Sequence, residues 1–285
     1  LFLLYANDWN NFKVEGVSYS GFADDVAIWA TGQDRDELET RIQQVLSKIE
    51  EWAEENKILL NPTKSECCVF SKGPTDEEWE PEIQIGGRRI DRKREIKFLG
   101  ITIDQRLTFT GQVGKVCEKI RKRVRVLSAL TNTTWGWEQN DLLKLYMAIV
   151  ESPAWYASSA WMPWVSPTYI KKMEAAQREG LRKLSGLVLS SPVESVYLET
   201  GVTPIGIEAK RRAQVAYEKW MRNKPGHPTR ALCEKEGNRR LKQNKGLREQ
   251  ARLENHRIVE GDRRSFAWER LEPWKNRKDG GGRVI

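Results

Sequence analysis

At 285 residues the chain can bury the core of one large domain or two ordinary ones, and its formal net charge of +8 points to polyanionic partners. No apolar run approaches the ~18 residues of a membrane span, which excludes a membrane-spanning helix and reads as a soluble chain. The charge is uneven: residues 207–285 carry 22 Lys or Arg against 11 Asp or Glu, whereas residues 1–206 carry 26 against 29. Four cysteines, Cys67, Cys68, Cys117 and Cys233, show no C-x-x-C spacing, and only His227 and His256 could join them. That pattern argues against a zinc site and for a reducing compartment.

The opening LFLLYAND is apolar but short and lacks a basic leader, so it reads as the interior of a folded domain rather than a signal peptide, with more chain expected before it. In YSGFADDVAIWA, aromatic and β-branched residues flank the acidic pair Asp24 and Asp25, and Val26, Ile28 and Ala30 alternate with Ala27 and Trp29. This predicts a β-hairpin with the acids at its turn. Asp34 with Glu37 forms a D-x-x-E cap, and Leu38, Ile42, Val45, Leu46, Ile49, Trp52 and Ala53 then recur at helical spacing to about residue 56. Asn61-Pro62 marks a turn, with a strand expected over Glu66–Ser71 and a polar loop at PTDEEWEP. EIQIGGRRI predicts a tight hairpin about Gly86-Gly87, and IKFLGITID a strand pair or a strand with a glycine bend.

From about residue 111 the apolar period changes from 2 to 3.6. VGKVCEKIRKRVRVLSAL, DLLKLYMAIVES, PTYIKKMEAAQREGLRKLSG and GIEAKRRAQVAYEKWMRN are successive predicted helices, and the change of period marks a domain boundary. The first of them places Val113, Val116, Ile120, Val124 and Leu127 on an apolar stripe. Lys115, Lys119, Lys122, Arg123 and Arg125 project around the rest, either as a solvated helix face or as a surface for phosphates. Trp135, Trp137, Trp155, Trp161 and Trp164 between the helices could stack on bases, but core anchoring is the favoured reading. Beyond Asn223, dense charge and Pro/Gly punctuation predict a segment that is helical in part or disordered.

Adjacent carboxylates at a turn have two readings. Asp populates turns readily, and paired carboxylates also suit Mg²⁺, which takes oxygen ligands. A two-metal phosphoryl-transfer site would need a further carboxylate from another strand. Four segments in order favour the second reading, because together they resemble the reverse transcriptase palm of non-long-terminal-repeat (LINE-like) retrotransposons. LFLLYAND resembles the end of that family's motif B segment, and FADD matches its [YF]-x-D-D hairpin. The long helix leading to LNPTKSE resembles motif D, and FLG at residues 98–100 resembles the primer-grip hairpin. AAQREGLRKLSG and SPVESVYLETGVTPIGIEAKRRA extend the resemblance through the helices to about residue 222.

The resemblance implies an α+β fold. Residues 1–110 would be a partial polymerase palm of antiparallel hairpins with a packing helix and 111–222 an all-α thumb or connection region; residues 223–285, beyond the resemblance, read as a basic tail from their charge. It further implies Asp24 as principal metal ligand and Asp25 as its supporting carboxylate, with two Mg²⁺ as cofactor. Lys64 would be a proton donor near the departing pyrophosphate, a solvated turn lysine being the plainer reading. Phe98, Leu99 and Gly100 would hold the primer end, with core packing the plainer reading of the first two. The implied partners are an RNA template, a DNA primer and deoxynucleoside triphosphates, and the implied location is intracellular, in nucleus and cytoplasm. The family's fingers, its first catalytic aspartate and the Gln-Gly opening motif B are expected upstream of Leu1; no endonuclease or RNase H pattern is seen. Two functions stay open: a segment of an RNA-directed DNA polymerase, or a non-enzymatic nucleic-acid-binding or scaffold remnant that keeps FADD without the chemistry.

Overall fold

The computed structural model describes residues 12, 14–71, 78–129 and 137–234. The chain divides into two compact units, Leu1–Gln112 and Val113–Ile285. LFLLYAND and most of the basic tail lie outside the described residues, as does Trp135.

The described part of the first unit is three antiparallel hairpins and one long helix, the α+β arrangement expected of its alternating and periodic segments. β1 (Val17–Phe22) pairs with β2 (Asp25–Ala30), β3 (Gln84–Ile85) with β4 (Arg88–Arg89), and β5 (Glu95–Phe98) with β6 (Ile101–Asp104). Helix α1 (Arg35–Glu55) starts where the D-x-x-E signature predicts. Asp34 Oδ1 accepts from the backbone N–H of Asp36 at 2.9 Å and of Glu37 at 3.2 Å, satisfying donors that an uncapped first turn leaves orphaned. Its Leu46 packs with Ile83, Ile85 and Ile90, flanked by Ile28, Ile42, Leu60 and Cys67.

The polar edge of α1 holds the second hairpin as well. Gln43 donates to the Gln84 carbonyl (3.1 Å) and accepts from its N–H (2.9 Å), Glu50 accepts from Gly86 N–H, and Glu39 accepts from Trp79 Nε1 and Glu82 N–H, each at 3.2 Å. A two-residue strand has little pairing of its own, and these side chains take up backbone groups that a neighbouring strand would otherwise satisfy. The strand expected over Glu66–Ser71 is instead an isolated parallel bridge, Cys67 with Arg92. Its partner is the short link between two hairpins, which offers only Asp91 and Lys93 for pairing before turning into β5.

The described part of the second unit is helical. It contains α2 (Thr110–Ser128, whose first turn belongs to the first unit), α3 (Gln139–Leu145), a π-helical turn over Tyr146–Val150, α4 (Ser152–Trp155) and α5 (Ser158–Trp161). Next along the chain come α6 (Pro167–Ser185), α7 (Val193–Thr200), α8 (Ile205–Met221) and α9 (Pro228–Glu234). The expected stripe of α2 is the floor of the core: Val113, Val116, Ile120, Val124 and Leu127 are all buried. Each such side chain contributes about 1.5–3 kcal/mol relative to exposure. Helix α6 reaches this floor through Gly180, where an added Cβ would sit 2.6 Å from Val124 Cγ2 and 3.1 Å from Tyr146 Cε2. Trp161 is fully buried, as the core reading of the tryptophans requires, whereas Trp137 and Trp164 are exposed. Among the described residues no helix is long and apolar enough to cross a membrane.

Candidate active site and nucleic-acid interface

The register of the first hairpin pairs Phe22 with Asp25, leaving a loop of two residues, Ala23 and Asp24. So short a loop demands positive φ, and Ala23 supplies it at 53° although it has a Cβ. Holding alanine there costs of order 1–3 kcal/mol, and such strain tends to collect at functional turns. The two acids are thereby made unequal: Asp24 occupies the tip, and Asp25 is the first residue of β2. Both are exposed, and among the described residues neither carboxylate has a hydrogen-bond or ion-pair partner.

Lys64 ends a 3₁₀ turn, Pro62–Lys64, that Asn61 caps by accepting from Thr63 N–H at 3.0 Å and Thr63 Oγ1 at 2.6 Å. Its side chain is exposed. The third hairpin turns at Leu99 and Gly100, both at positive φ (45° and 80°). Gly100 adopts this freely, and Leu99 is held in it. Phe98 and Leu99 are half-buried, so they both pack and remain reachable. Asp24, Lys64 and Leu99 thus lie on three separate turns of the first unit.

A strand-end acid anchors the third hairpin to the approach to α2. Asp104 Oδ2 accepts from Thr108 N–H (3.0 Å) and Thr108 Oγ1 (2.9 Å), and Oδ1 from Phe109 N–H (2.6 Å). Burial pushes the Asp104 carboxyl up, but these hydrogen bonds outweigh it and hold the group below its usual range. Gln112, on the first turn of α2, accepts from Thr102 N–H at 3.0 Å. The hairpin and the start of α2 are therefore tied by side chains as well as by the chain.

On α2 the five expected cations divide. Lys115, Lys119, Lys122 and Arg125 are exposed. Arg123 is engaged inside the unit, donating to the Ile149 carbonyl and, at 2.7 Å, to Ser152 Oγ. It satisfies the π-helical turn, whose wider ladder leaves its end carbonyls to be met by side chains. Arg121, not among the expected residues, forms an ion pair with Glu179 at 2.9 Å.

A buried polar knot escaped the sequence reading. Gln177, fully buried on α6, donates to Glu151 Oε1 at 2.7 Å and to the Thr203 carbonyl at 3.0 Å. It accepts from Tyr197 Oη and Ile205 N–H, each at 3.1 Å. All four hydrogen-bonding positions of its amide are used. The only signal in sequence is a Gln on the apolar face of α6 between Met173 and Leu181. Burial pushes the Glu151 carboxyl up, and hydrogen bonds from Gln177 and Trp155 pull against that.

Exposed carboxylates are the oxygen donors a hard divalent cation takes, and Asp24 and Asp25, without partners among the described residues, fit part of a ligand set. Among the described residues no group of three or more His, Cys, Asp or Glu could hold a metal ion.

Residues 3–103 match the family model described as Reverse transcriptase (RNA-dependent DNA polymerase). Over 198 residues, 70% of this chain, the sequence is 24% identical to the RNA-directed DNA polymerase from mobile element jockey of Drosophila funebris. It is 26% identical over 67% of the chain to the Pol polyprotein from the type-1 retrotransposable element R1 of Bradysia coprophila. It is 25% identical over 65% of the chain to the probable RNA-directed DNA polymerase from transposon X-element of Drosophila melanogaster. These matches cover 21%, 19% and 20% of the relatives, so the chain spans about a fifth of their length. No solved structure matches it significantly. The FADD hairpin falls within the matched segment, and over that segment the chain is similar to reverse transcriptases, with relatives from mobile elements extending the similarity into the helical region.

Proposed function

We propose that this chain is part of an RNA-directed DNA polymerase, contributing the metal-binding hairpin and a phosphate-binding helical region to synthesis of DNA on an RNA template. The observation that carries the reading is the FADD turn: a two-residue loop, strained at Ala23, that presents two exposed carboxylates with no partner among the described residues. In this reading Asp24 is the principal ligand and Asp25 supports it from the strand. The cofactor is Mg²⁺, which when bound neutralises charge on the nucleotide phosphates and on the attacking and leaving oxygens. A carboxylate from outside the described residues completes the ligand set.

Lys64 stands on a capped turn, where its ammonium can give a proton to the departing pyrophosphate. Phe98, Leu99 and Gly100 form a tip whose backbone conformation is set by the two-residue turn, suited to holding a primer end in one position. Lys115, Lys119, Lys122 and Arg125 supply sequence-independent attraction to the template–primer phosphates. Arg123 contributes by holding the π-helical turn, and so shapes that surface instead of touching it.

The test is primer extension by a full-length enzyme containing this chain, on an RNA template with a DNA primer and deoxynucleoside triphosphates. DNA synthesis is expected with Mg²⁺ and none after chelation. A protein that binds template–primer but never extends it would favour the non-enzymatic remnant.

A further inference from the structure

Asp24, Lys64 and Leu99 stand on separate turns, and the supports of all three turns meet at residues 91–93, the short link between the second and third hairpins. The backbone of this link takes up the chain that leaves the Lys64 turn. Cys67 N–H donates to the Asp91 carbonyl at 3.4 Å, and Lys93 N–H to the Cys67 carbonyl at 2.8 Å. Lys93 Nζ adds an ion pair with Glu66 at 2.6 Å.

From the middle of the link, Arg92 reaches in two further directions. Its Nη1 donates to the Trp79 carbonyl at 2.8 Å and its Nη2 to Gln105 Oε1 at 3.2 Å. Trp79 is held to α1, since its Nε1 donates to Glu39 and the Arg35 guanidinium lies 5.7 Å from its ring centre. Helix α1 in turn brings Ile42 and Leu46 to the cluster that receives Ile28 of β2, the strand that Asp25 opens. On the other side, Gln105 follows β6 directly. Its N–H donates to the Arg94 carbonyl at 3.0 Å and closes the open end of the hairpin that turns at Leu99 and Gly100.

One guanidinium thus bridges the α1 side, which bears the FADD hairpin, and the base of the FLG hairpin, from a link already paired to the chain after Lys64. Of the arginines in RRIDRKRE, Arg88, Arg89 and Arg94 are exposed, as solvated cations are, whereas Arg92 is half-buried. The rigid planar fork of arginine suits the task, because two donors at a fixed angle meet acceptors on two different segments. A lysine ammonium on a flexible stem is a point charge and cannot hold both in one geometry.

We propose that Arg92 is a positioning residue, bracing the FLG tip against the FADD and Lys64 turns so that primer end, metal ligands and proton donor keep one geometry. The catalytic consequence rests on the polymerase reading; the brace itself does not. Slack at the base of a short strand pair is carried to its tip, and a misplacement of about 1 Å can cost roughly 10²-fold in rate.

The brace is tested by hydrogen–deuterium exchange on the full chain, comparing Arg92→Ala and Arg92→Lys with the parent at the amides of Lys93 and Gln105. Both variants should exchange there about tenfold faster or more, while amides of α6 from Met173 to Leu181 keep parental protection. The catalytic consequence is tested in a full-length enzyme containing this chain, by single-turnover primer extension on an RNA template at a temperature where melts show every variant folded. Arg92→Ala should extend about 10²-fold more slowly, with template–primer affinity and the half-saturating nucleotide concentration each within about twofold of the parent. Gln105→Ala should reproduce most of that loss, and Arg92→Ala/Gln105→Ala should be no slower than Arg92→Ala, as one shared contact requires. A residue that only stabilises the fold would leave the rate of folded enzyme unchanged, so a parental rate in Arg92→Ala overturns the positioning role. Parental exchange at Lys93 and Gln105 overturns the brace. Failure of the polymerase reading shows separately, as a parent enzyme that never extends a primer, and the exchange rates then decide the brace alone.

Discussion

The two units solve different problems with different materials. In the first, the groups expected to carry chemistry stand on turns of two or three residues, where backbone conformation fixes each one. Ala23, Leu99 and Gly100 all lie at positive φ, and Asp104 clamps the segment leading into α2. In the second, the cations lie along helix faces above a continuous apolar floor, and several stand in equivalent positions. A site made of turns should fail abruptly when one residue changes, whereas a charged face should lose affinity by degrees. The comparison breaks if a single cation on α2 proves as decisive as an acid of the hairpin.

The largest stability effect should come from the second unit's interior, not from its charged surface. Gln177→Leu leaves the Glu151 carboxyl, the Thr203 carbonyl and the Ile205 N–H short of a buried partner, and it should cost about 3 kcal/mol or more. Chemical denaturation measures this. Lys122→Gln, on the exposed face, should change stability by less than about 0.5 kcal/mol, and parity between the two would contradict the account of the knot.

Next in size is the clamp of the first unit. Asp104→Asn gives up a charged acceptor of three hydrogen bonds and should cost about 2 kcal/mol. The sign of its pH dependence is fixed by the lowered carboxyl. The contribution is complete above the ordinary aspartate value of ~3.9 and is lost as pH falls through the still lower folded value. The difference between the unsubstituted chain and Asp104→Asn should therefore be constant near neutrality and shrink in strong acid. A difference that grew on acidification would exclude Asp104 as its source.

The smallest effect belongs to the strained turn. Ala23→Gly relieves a backbone cost of order 1–3 kcal/mol but loosens the unfolded chain by about 0.4–1 kcal/mol, so a gain of about 1 kcal/mol is expected. Ala23→Val, β-branched at positive φ, should destabilise. Thermal melts of the pair distinguish a strained turn from a relaxed one by the order of the variants.

These contrasts also explain what could be read without coordinates. The long helices were legible because burial repeats along them: Leu38 to Ala53 and Val113 to Leu127 keep the period of one face. Asp34 and Gly86-Gly87 were legible because caps and two-residue turns have local chemistry. Helix α7 was not foreseen, since its eight residues end between Pro192 and Gly201 before a period can show. The expected strand at Glu66–Ser71 depended on a partner whose length only the fold sets. The special role of Arg123 was invisible, because nothing local separates it from the neighbouring cations; the distinction comes from the π-helical turn 26 residues away. Of the candidate site, the acidic pair and the FLG turn stood out in sequence. The unequal roles of the two acids were implied by the resemblance, and the strain at Ala23 was not.

The central claim is that the FADD hairpin serves chemistry while the helical unit serves affinity, and one paired measurement tests it most directly. In a full-length enzyme containing this chain, Asp24→Ala and the joint reversal Lys119→Glu/Lys122→Glu/Arg125→Glu are each assayed for single-turnover primer extension on an RNA template and for template–primer affinity across a salt series. The account predicts that Asp24→Ala abolishes extension with affinity within about twofold of the parent. It predicts that the reversal flattens the salt slope by about 2.7, three contacts at 0.9 each on duplex, while saturated complexes still extend. Near-normal extension by Asp24→Ala would contradict the claim.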